Sequence, residues 1–313
     1  MQSTYSSSAS PGANSSVPIS VKPLPPMSKG LMARRSGLNG LMRFLCATAT
    51  LLAVIPLFLV LFYIAAKGLP VLNAEFFTST EKAAGDAGGG LKHAILGTIM
   101  MVGLASTLGL PIGILGGIYL SEFGNNRLGF AVRFAADVLN GIPSIVVGVF
   151  VYTVAVLPVT RATNGNITFS ALAGGLALGI MMIPTVMRTT EEIIKLVPMA
   201  LREGALALGD TRWHAVLKIV LGAAKGGVIT GVLLAIARVS GETAPLLFTA
   251  LGSRYVNSDP TRPTASLPVK IYDFATSADD HWNALAWGGA LVLVTLIFVL
   301  SVAARYFTKG KTV

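Results

Sequence analysis

The sequence predicts an all-α integral membrane protein, a six-helix transmembrane bundle with one structured loop on its cytoplasmic face. Three observations carry that expectation. Only 12% of the 313 residues are charged, 53% are apolar or aromatic, and mean hydropathy is +0.71. Soluble domains carry about 25% charged residues, and this much apolar surface exceeds what one water-facing globule can hide. Six stretches with few or no charges are each long enough to cross a bilayer. The basic residues gather on alternate connections between them, the pattern that the positive-inside rule reads as cytoplasmic.

Residues 1–43 are rich in Ser, Pro, Gly and Asn without apolar periodicity, which predicts a flexible cytoplasmic tail. Phe44 to Ala66 follows, 23 uncharged residues that reach about 34 Å at about 1.5 Å per residue, enough for a hydrocarbon core of about 30 Å. Five more spans are centred on residues 95–120, 134–158, 168–187, 226–252 and 284–304, and a short cytoplasmic tail occupies 306–313. Six crossings put both termini on one side. Sixteen of the 24 Lys and Arg residues fall on that side, against seven on the other that are matched by seven acids. The whole net charge of +10 therefore belongs to one face, which the rule makes cytoplasmic. In a soluble chain such a balance would point to nucleic acid; here membrane lipid is the expected neighbour and no nucleic acid is. A single cysteine, Cys46, excludes an internal disulfide framework, and His93, His214 and His281 are too scattered for a metal site.

The spans are punctuated by small residues and prolines. Gly109, Gly113 and Gly117, Gly175 with Gly179, and Gly227 with Gly231 recur every four residues, a spacing that permits close approach of helix backbones. Pro56, Pro111, Pro143, Pro184 and Pro245 each remove a helical donor, which favours a bundle that moves over a mere anchor.

Residues 188–225 form the longest internal cytoplasmic connection. Glu191 to Leu208 has helical patterning, Gly209 suits a left-handed stop, and Asp210 or Thr211 suits the cap of a second helix through Trp213 and Val220. A tryptophan here either anchors an interface or lies in the headgroup belt. Glu203-Gly204-Ala205, three residues, Gly209, nine residues and Ile219-Val220-Leu221 resembles the loop of binding-protein-dependent ABC importer permeases, with Gly204 where a second Ala is usual and Gly222 where Pro is usual. The resemblance implies the fold of type I importer permeases and a coupling helix docked on a separate ATPase subunit, with Glu203, Gly204, Ala205, Gly209, Trp213, Ile219 and Leu221 at the contact. The chain has no G-x-x-x-x-G-K-[ST] sequence, so ATP and Mg are expected on the partner and no cofactor in this chain.

The fifth span carries two full charges, Arg238 and Glu242, each costing about 2.5–3.5 kcal/mol at a helix centre. At i and i+4 on one helix they would share a face and pair. With Ser240, Gly241 and Thr243 they suit an oxyanion, a guanidinium fork beside hydroxyls and small residues; a buried pair that only fixes packing is the alternative. Residues 237–250 (ARVSGETAPLLFTA) closely resemble the signature of phosphate-transport permeases within the ABC importer family, as does Asp137-x-Leu139-x-Gly141-x-Pro143-Ser144. The likeness covers residues 90–305. It implies a bacterial inner-membrane subunit that takes part in ATP-driven phosphate import without itself being an enzyme. The implied partners are a sister permease, an ATPase dimer and a phosphate-binding protein. It implies a substrate pathway at Arg238, Ser240, Glu242 and Thr243, and a kink or gate at Asp137, Gly141, Pro143 and Ser144. Another oxyanion such as sulfate or molybdate, or a self-sufficient ion-coupled carrier or channel, are the competing expectations. An outer loop from Ser253 to Asn283, with four aspartates and Trp282, suits either a docking surface or a solvated connection.

Overall fold

The structure is a computed structural model and describes residues 29–309. It divides after Leu59 into two units. The first is helical from Lys29, within α1 (Lys29–Gly68), and Thr50 Oγ1 donates to Cys46 O at 2.8 Å across one of its turns. The first apolar helix thus begins well before Phe44, and residues 29–43 are helix where a flexible tail was expected. Nothing between Lys29 and Phe44 breaks a helix once the apolar run nucleates it: Gly37 and Gly40 cost about 1 kcal/mol each relative to Ala, but no proline intervenes. The expected tail over residues 1–28 lies outside the described residues.

The second unit is all-helical among the described residues. After α2 (Ala74–Thr78) come α3 (Lys92–Glu122), α4 (Arg127–Gly141), α5 (Ser144–Val151), a π turn to Val156 and α6 (Leu157–Ala162). Then follow α7 (Ala171–Lys195), α8 (Met199–Ala207), α9 (Arg212–His214), a π turn to Val220, α10 (Leu221–Ser240), α11 (Ala244–Thr249), α12 (Leu267–Ala275) and α13 (Asp280–Lys309). Six helical segments are long and apolar enough to cross a membrane. Polar caps start several elements: Asn126 Oδ1 accepts from Gly129 N at 2.7 Å, Ser170 Oγ from Ala173 N at 3.2 Å and Ser266 Oγ from Val269 N at 3.4 Å.

Two spans are placed differently from the sequence expectation. The third is Ser144–Ala162, not 134–158: the chain leaves α4 at Gly141, and Pro143, lacking an N–H, stands at the N-cap of α5. The expected kink is a full helix end. The fifth runs from Arg212 without interruption through the π turn to Ser240 and stops there, with α11 a separate short helix beginning at Ala244-Pro245. The second helix expected inside the cytoplasmic loop is therefore the start of a membrane-spanning helix.

α7 is the spine. Gly109, Gly113 and Gly117 of α3 face Met182, Val186 and Thr190 of α7; a Cβ on Gly113 would come 2.7 Å from Val186 Cβ. On another side Gly227 and Gly231 of α10 face Ile193 and Thr189. The glycine stripes thus let two helices approach α7 at backbone distance. The main core at these seams comprises Met101, Leu178, Met182, Val186, Ala235, Val239 and Leu246. A second cluster around Phe76, Leu91, Phe274 and Leu285 closes one end of the bundle, and a third around Ile118, Ile194, Val216 and Val220 closes the other.

Candidate functional site

Three cross-links tie α4 to the second half of α7, and they run antiparallel. Asn140 meets Thr185, Asp137 meets Arg188 and Arg133 meets Glu191. α10 also runs antiparallel to α7, with Gly227 at Ile193, Gly231 at Thr189 and Arg238 at Thr185. The two ladders meet at Thr185. Arg238 Nη1 donates to Thr185 Oγ1 at 3.3 Å, and Thr185 Oγ1 donates to Asn140 Oδ1 at 3.3 Å. Asn140 and Arg238 are exposed and Thr185, near the middle of α7, is half-buried.

The expected pairing of Arg238 with Glu242 does not form. Gly241 caps α10, its N–H bonding Arg238 O at 3.2 Å, and Glu242 N–H bonds Val239 O at 3.2 Å in the turn that follows. The i and i+4 register therefore ends before Glu242. Its half-buried carboxylate has no hydrogen-bond or ion-pair partner among the described residues. Ser240 is 3% exposed and its Oγ donates to Ile236 O at 2.7 Å, so it turns inward while Arg238 is exposed. Thr243 is half-buried at the N-cap of α11.

One turn along from Thr185, Arg188 grips Asp137 with Nε at 2.8 Å and Nη2 at 2.6 Å from Oδ1. The next rung is buried. Glu191, 1% exposed, accepts from Arg133 Nε at 2.6 Å, Lys195 Nζ at 2.6 Å and Arg188 Nη1 at 3.2 Å. Arg133 also caps the end of α3 through Leu120 O at 2.6 Å and Gly124 O at 3.0 Å. A buried carboxylate persists only when its charge is met, and here three cations meet it. Gly141 and Pro143 are exposed between α4 and α5, and Ser144 begins α5.

The loop after α7 is a folded elbow. Arg202 binds Glu122 at 2.7 and 3.0 Å and also donates to the Ile194 carbonyl at 3.0 Å. Arg212 donates to Glu122 O at 2.8 Å and lies 5.0 Å from the centre of the Phe123 ring, which packs 6.0 Å from Trp213. Gly209 has φ +84°, the left-handed conformation expected of it, and Thr211 rather than Asp210 caps the next helix, accepting from His214 N at 3.3 Å. Glu203 and Gly204 are exposed on α8 and Ala205 is buried; Ile219 and Leu221 are half-buried, flanking inward-facing Val220. The elbow exposes Leu196, Met199, Leu201, Leu206, Leu208 and Trp213.

At the opposite end, buried Glu81 lies 2.6 Å from Lys270 Nζ, 3.0 Å from Arg254 Nε and 3.4 Å from His93 Nε2. Burial opposes its ionisation, but hydrogen bonds and charge from His93 and Lys270 outweigh that and hold the carboxyl below the usual glutamate range. Asp279 accepts from Gly85 N at 2.7 Å and Trp282 N at 2.8 Å, which ties the loop before α3 to the start of α13 and holds its pKa down.

The Arg133–Glu191 rung escaped the sequence reading. Arg188 at i−3 and Lys195 at i+4 of Glu191 were a legible signal, but Arg133 is brought in only by the fold. Asn140 and Thr185 carried no signal beyond being polar in apolar surroundings.

Comparison with known proteins fits this arrangement. The family model of binding-protein-dependent transport system inner membrane components matches residues 109–313, the stretch that holds every rung and the elbow. The phosphate transport system permease protein PstA of Haemophilus influenzae is 41% identical over 274 residues, covering 87% of this chain and 94% of its own length. PstA 1 of Mycobacterium tuberculosis H37Rv is 36% identical, covering 91% of each chain. Among solved structures, an inward-facing form of the MetNI methionine ABC transporter aligns with TM-score 0.54 at 21% identity, over 71% of this chain and 94% of that one, a likeness of fold. The chain is thus a transporter subunit of the type I importer permease fold, and it belongs to the family of binding-protein-dependent transport system inner membrane components, among its PstA-type permeases.

Proposed function

We propose that this chain is the permease subunit through which phosphate crosses the inner membrane in an ATP-driven importer. The observation that carries the reading is exposed Arg238, a full cation on the last turn of the fifth span, level with the middle of α7 and without a carboxylate partner among the described residues, in a chain whose 41%-identical relative is a phosphate permease. An unneutralised guanidinium there is costly unless it serves an anion. Phosphate released by an external binding protein would reach this face in a cavity shared with a sister permease. Glu242, held outside the helix, would accept a hydrogen bond from protonated phosphate, which ionised sulfate cannot donate, and would keep the anion from binding too tightly to leave.

The energy would come from a separate ATPase dimer, which binds ATP and Mg. The elbow from Glu203 to Leu221 suits its docking: an exposed apolar face on α8, set at a fixed angle by Gly209 and clamped to α3 through Arg202 and Arg212. Because the second arm of the elbow is continuous with α10, a displacement at the dock would be delivered directly to Arg238. That continuity supplies the rigid element that alternating access requires. The elbow end carries the basic excess and would be cytoplasmic, with both termini, and the Glu81 end would face outward. The test is co-purification of the tagged chain, with a second permease and an ATPase expected in fixed stoichiometry, followed by phosphate uptake by the reconstituted complex. Phosphate transport by the purified chain alone in liposomes would refute the reading.

A further inference from the structure

The geometry points to Asn140 and Thr185 as part of the oxyanion site, with the Asn140 side-chain amide as a second, neutral donor to the transported anion beside Arg238. This deepens the phosphate-permease reading and rests on it.

The argument starts from which donors are spent. Thr185 Oγ1 accepts from Arg238 Nη1 and gives its only proton to Asn140 Oδ1, both at 3.3 Å. With Oδ1 as the acceptor, the Asn140 NH2 is turned away from Thr185 and donates to no described residue, so both of its protons are available. Arg238 likewise spends one of five N–H groups on Thr185. The cluster therefore faces its surroundings with N–H groups from two elements, α4 and α10, held at a common height by one hydroxyl of α7. Donors alone, with one positive charge, are complementary to an oxyanion and not to a cation.

The neighbouring rungs show why this one is different. Arg188 is held by Asp137 and Glu191, and Arg133 by Glu191, so each of these guanidiniums already has a carboxylate partner. Among the described residues the Arg238 rung has no carboxylate on it. An anion at this height would meet an unmatched charge, and one turn further along α7 a matched one. Asn140 stands in the stretch between Asp137 and Pro143, and α4 ends at Gly141 immediately after it. Its amide is thus carried on the last turn of a helix whose other rungs are clamped to α7.

The test is uptake of radiolabelled inorganic phosphate by the complete reconstituted importer, wild type beside Asn140→Ala, Asn140→Asp and Thr185→Val, with binding-protein-stimulated ATP hydrolysis measured in parallel. Asparagine as an anion donor predicts a specific order. Asn140→Ala should lose about tenfold in uptake, as for loss of a hydrogen bond to a charged group. Asn140→Asp should lose more, because it replaces the donors with a negative charge. Thr185→Val should raise KM more than it lowers kcat, since it removes the hydroxyl that aligns the two donors. A purely structural Asn140 predicts the reverse order, because Asp keeps the acceptor for Thr185 and Ala does not. Asn140→Asp transporting as well as Asn140→Ala, or either at the wild-type rate, would overturn the inference while wild-type accumulation leaves the phosphate reading standing. Failure of the wild-type complex to accumulate phosphate would overturn both.

Discussion

Arg188 and Asp137 meet with two guanidinium nitrogens of one on the carboxylate of the other, at 2.8 and 2.6 Å, on the exposed side of the α4–α7 seam, while the other side of the same arginine reaches buried Glu191. One guanidinium thus joins a solvent-side pair to an interior one, and the two halves are expected to differ in worth. Exposed pairs contribute about 0–1 kcal/mol, whereas removing one partner of a buried pair costs about 3–5 kcal/mol.

Glu191→Ala should therefore destabilise the protein by about 3–5 kcal/mol, because Arg133, Arg188 and Lys195 all lose their shared carboxylate and Arg133 also fastens the end of α3. Asp137→Asn should cost at most about 1 kcal/mol. Thermal unfolding of both variants in detergent, in the same complex, checks the contrast. Equal stability of the two would show that the burial of Glu191 does not set its contribution.

Arg238→Gln keeps a donor for Thr185 and removes the charge, so phosphate uptake by the assembled importer should fall by about tenfold or more while the complex is recovered in normal yield. Glu242→Gln should act differently. With no partner to lose among the described residues, it should leave stability unchanged and alter uptake chiefly through the contact with protonated phosphate proposed for it, seen as a changed pH profile of transport. Normal uptake in both variants would remove the pair from the pathway.

Much of this architecture was legible in the sequence, for physical reasons that can be named. Length and apolarity fix the number of crossings, and the glycine stripes at 109–117 and 227–231 found the partners their spacing promised, all on α7. Gly209 and the Thr211 cap were readable because left-handed backbone and orphan N–H groups demand particular residues. Three features were not. The break after Ser240 depends on Gly241 and Pro245 acting together in a stretch otherwise as apolar as a continuous span, so helical spacing gave a pairing of Arg238 and Glu242 that the backbone does not make. The end of α4 at Gly141 was hidden because hydropathy continues across Pro143. The Asn140–Thr185–Arg238 rung joins residues 45 and 53 positions apart, and no local pattern encodes that.

Gly209→Ala should cost about 1–2 kcal/mol locally, because φ +84° is left-handed and no neighbouring atom lies within 4 Å to be clashed with, so strain alone acts. Gly222→Ala is its control: also in open space but inside a regular helix, where alanine is favoured by about 1 kcal/mol. Phosphate-coupled ATP hydrolysis should therefore fall in Gly209→Ala, through a loosened elbow, and be maintained in Gly222→Ala. A normal Gly209→Ala importer would mean that the angle between α8 and α9 is not what transmits motion.

The end of the bundle that holds Glu81 should loosen in acid, and the sign follows from that carboxyl. Its folded-state pKa lies below the unfolded value, because hydrogen bonds and charge from His93 and Lys270 overcome burial. A depressed carboxyl adds stability that is fully present above the unfolded value of about 4.3 and is lost as pH falls through the lower folded value. Protonation removes the anion that Lys270, Arg254 and His93 share, while Asp273, whose pKa is raised by burial and by Glu81 itself, becomes neutral earlier in the descent. Asp279, with its own depressed pKa, holds Gly85 and Trp282 and should release them over the same range. Hydrogen exchange of residues 80–91, corrected for the intrinsic effect of pH, should therefore accelerate below about pH 4 in the wild type. In Glu81→Gln the exchange should be fast already at neutral pH, with the contributions of Asp279 and of Glu75, whose pKa is held down by Gly89 N–H and Lys82, left to titrate. A flat, protected profile in the wild type would show that the ion cluster at this end does not hold the loop.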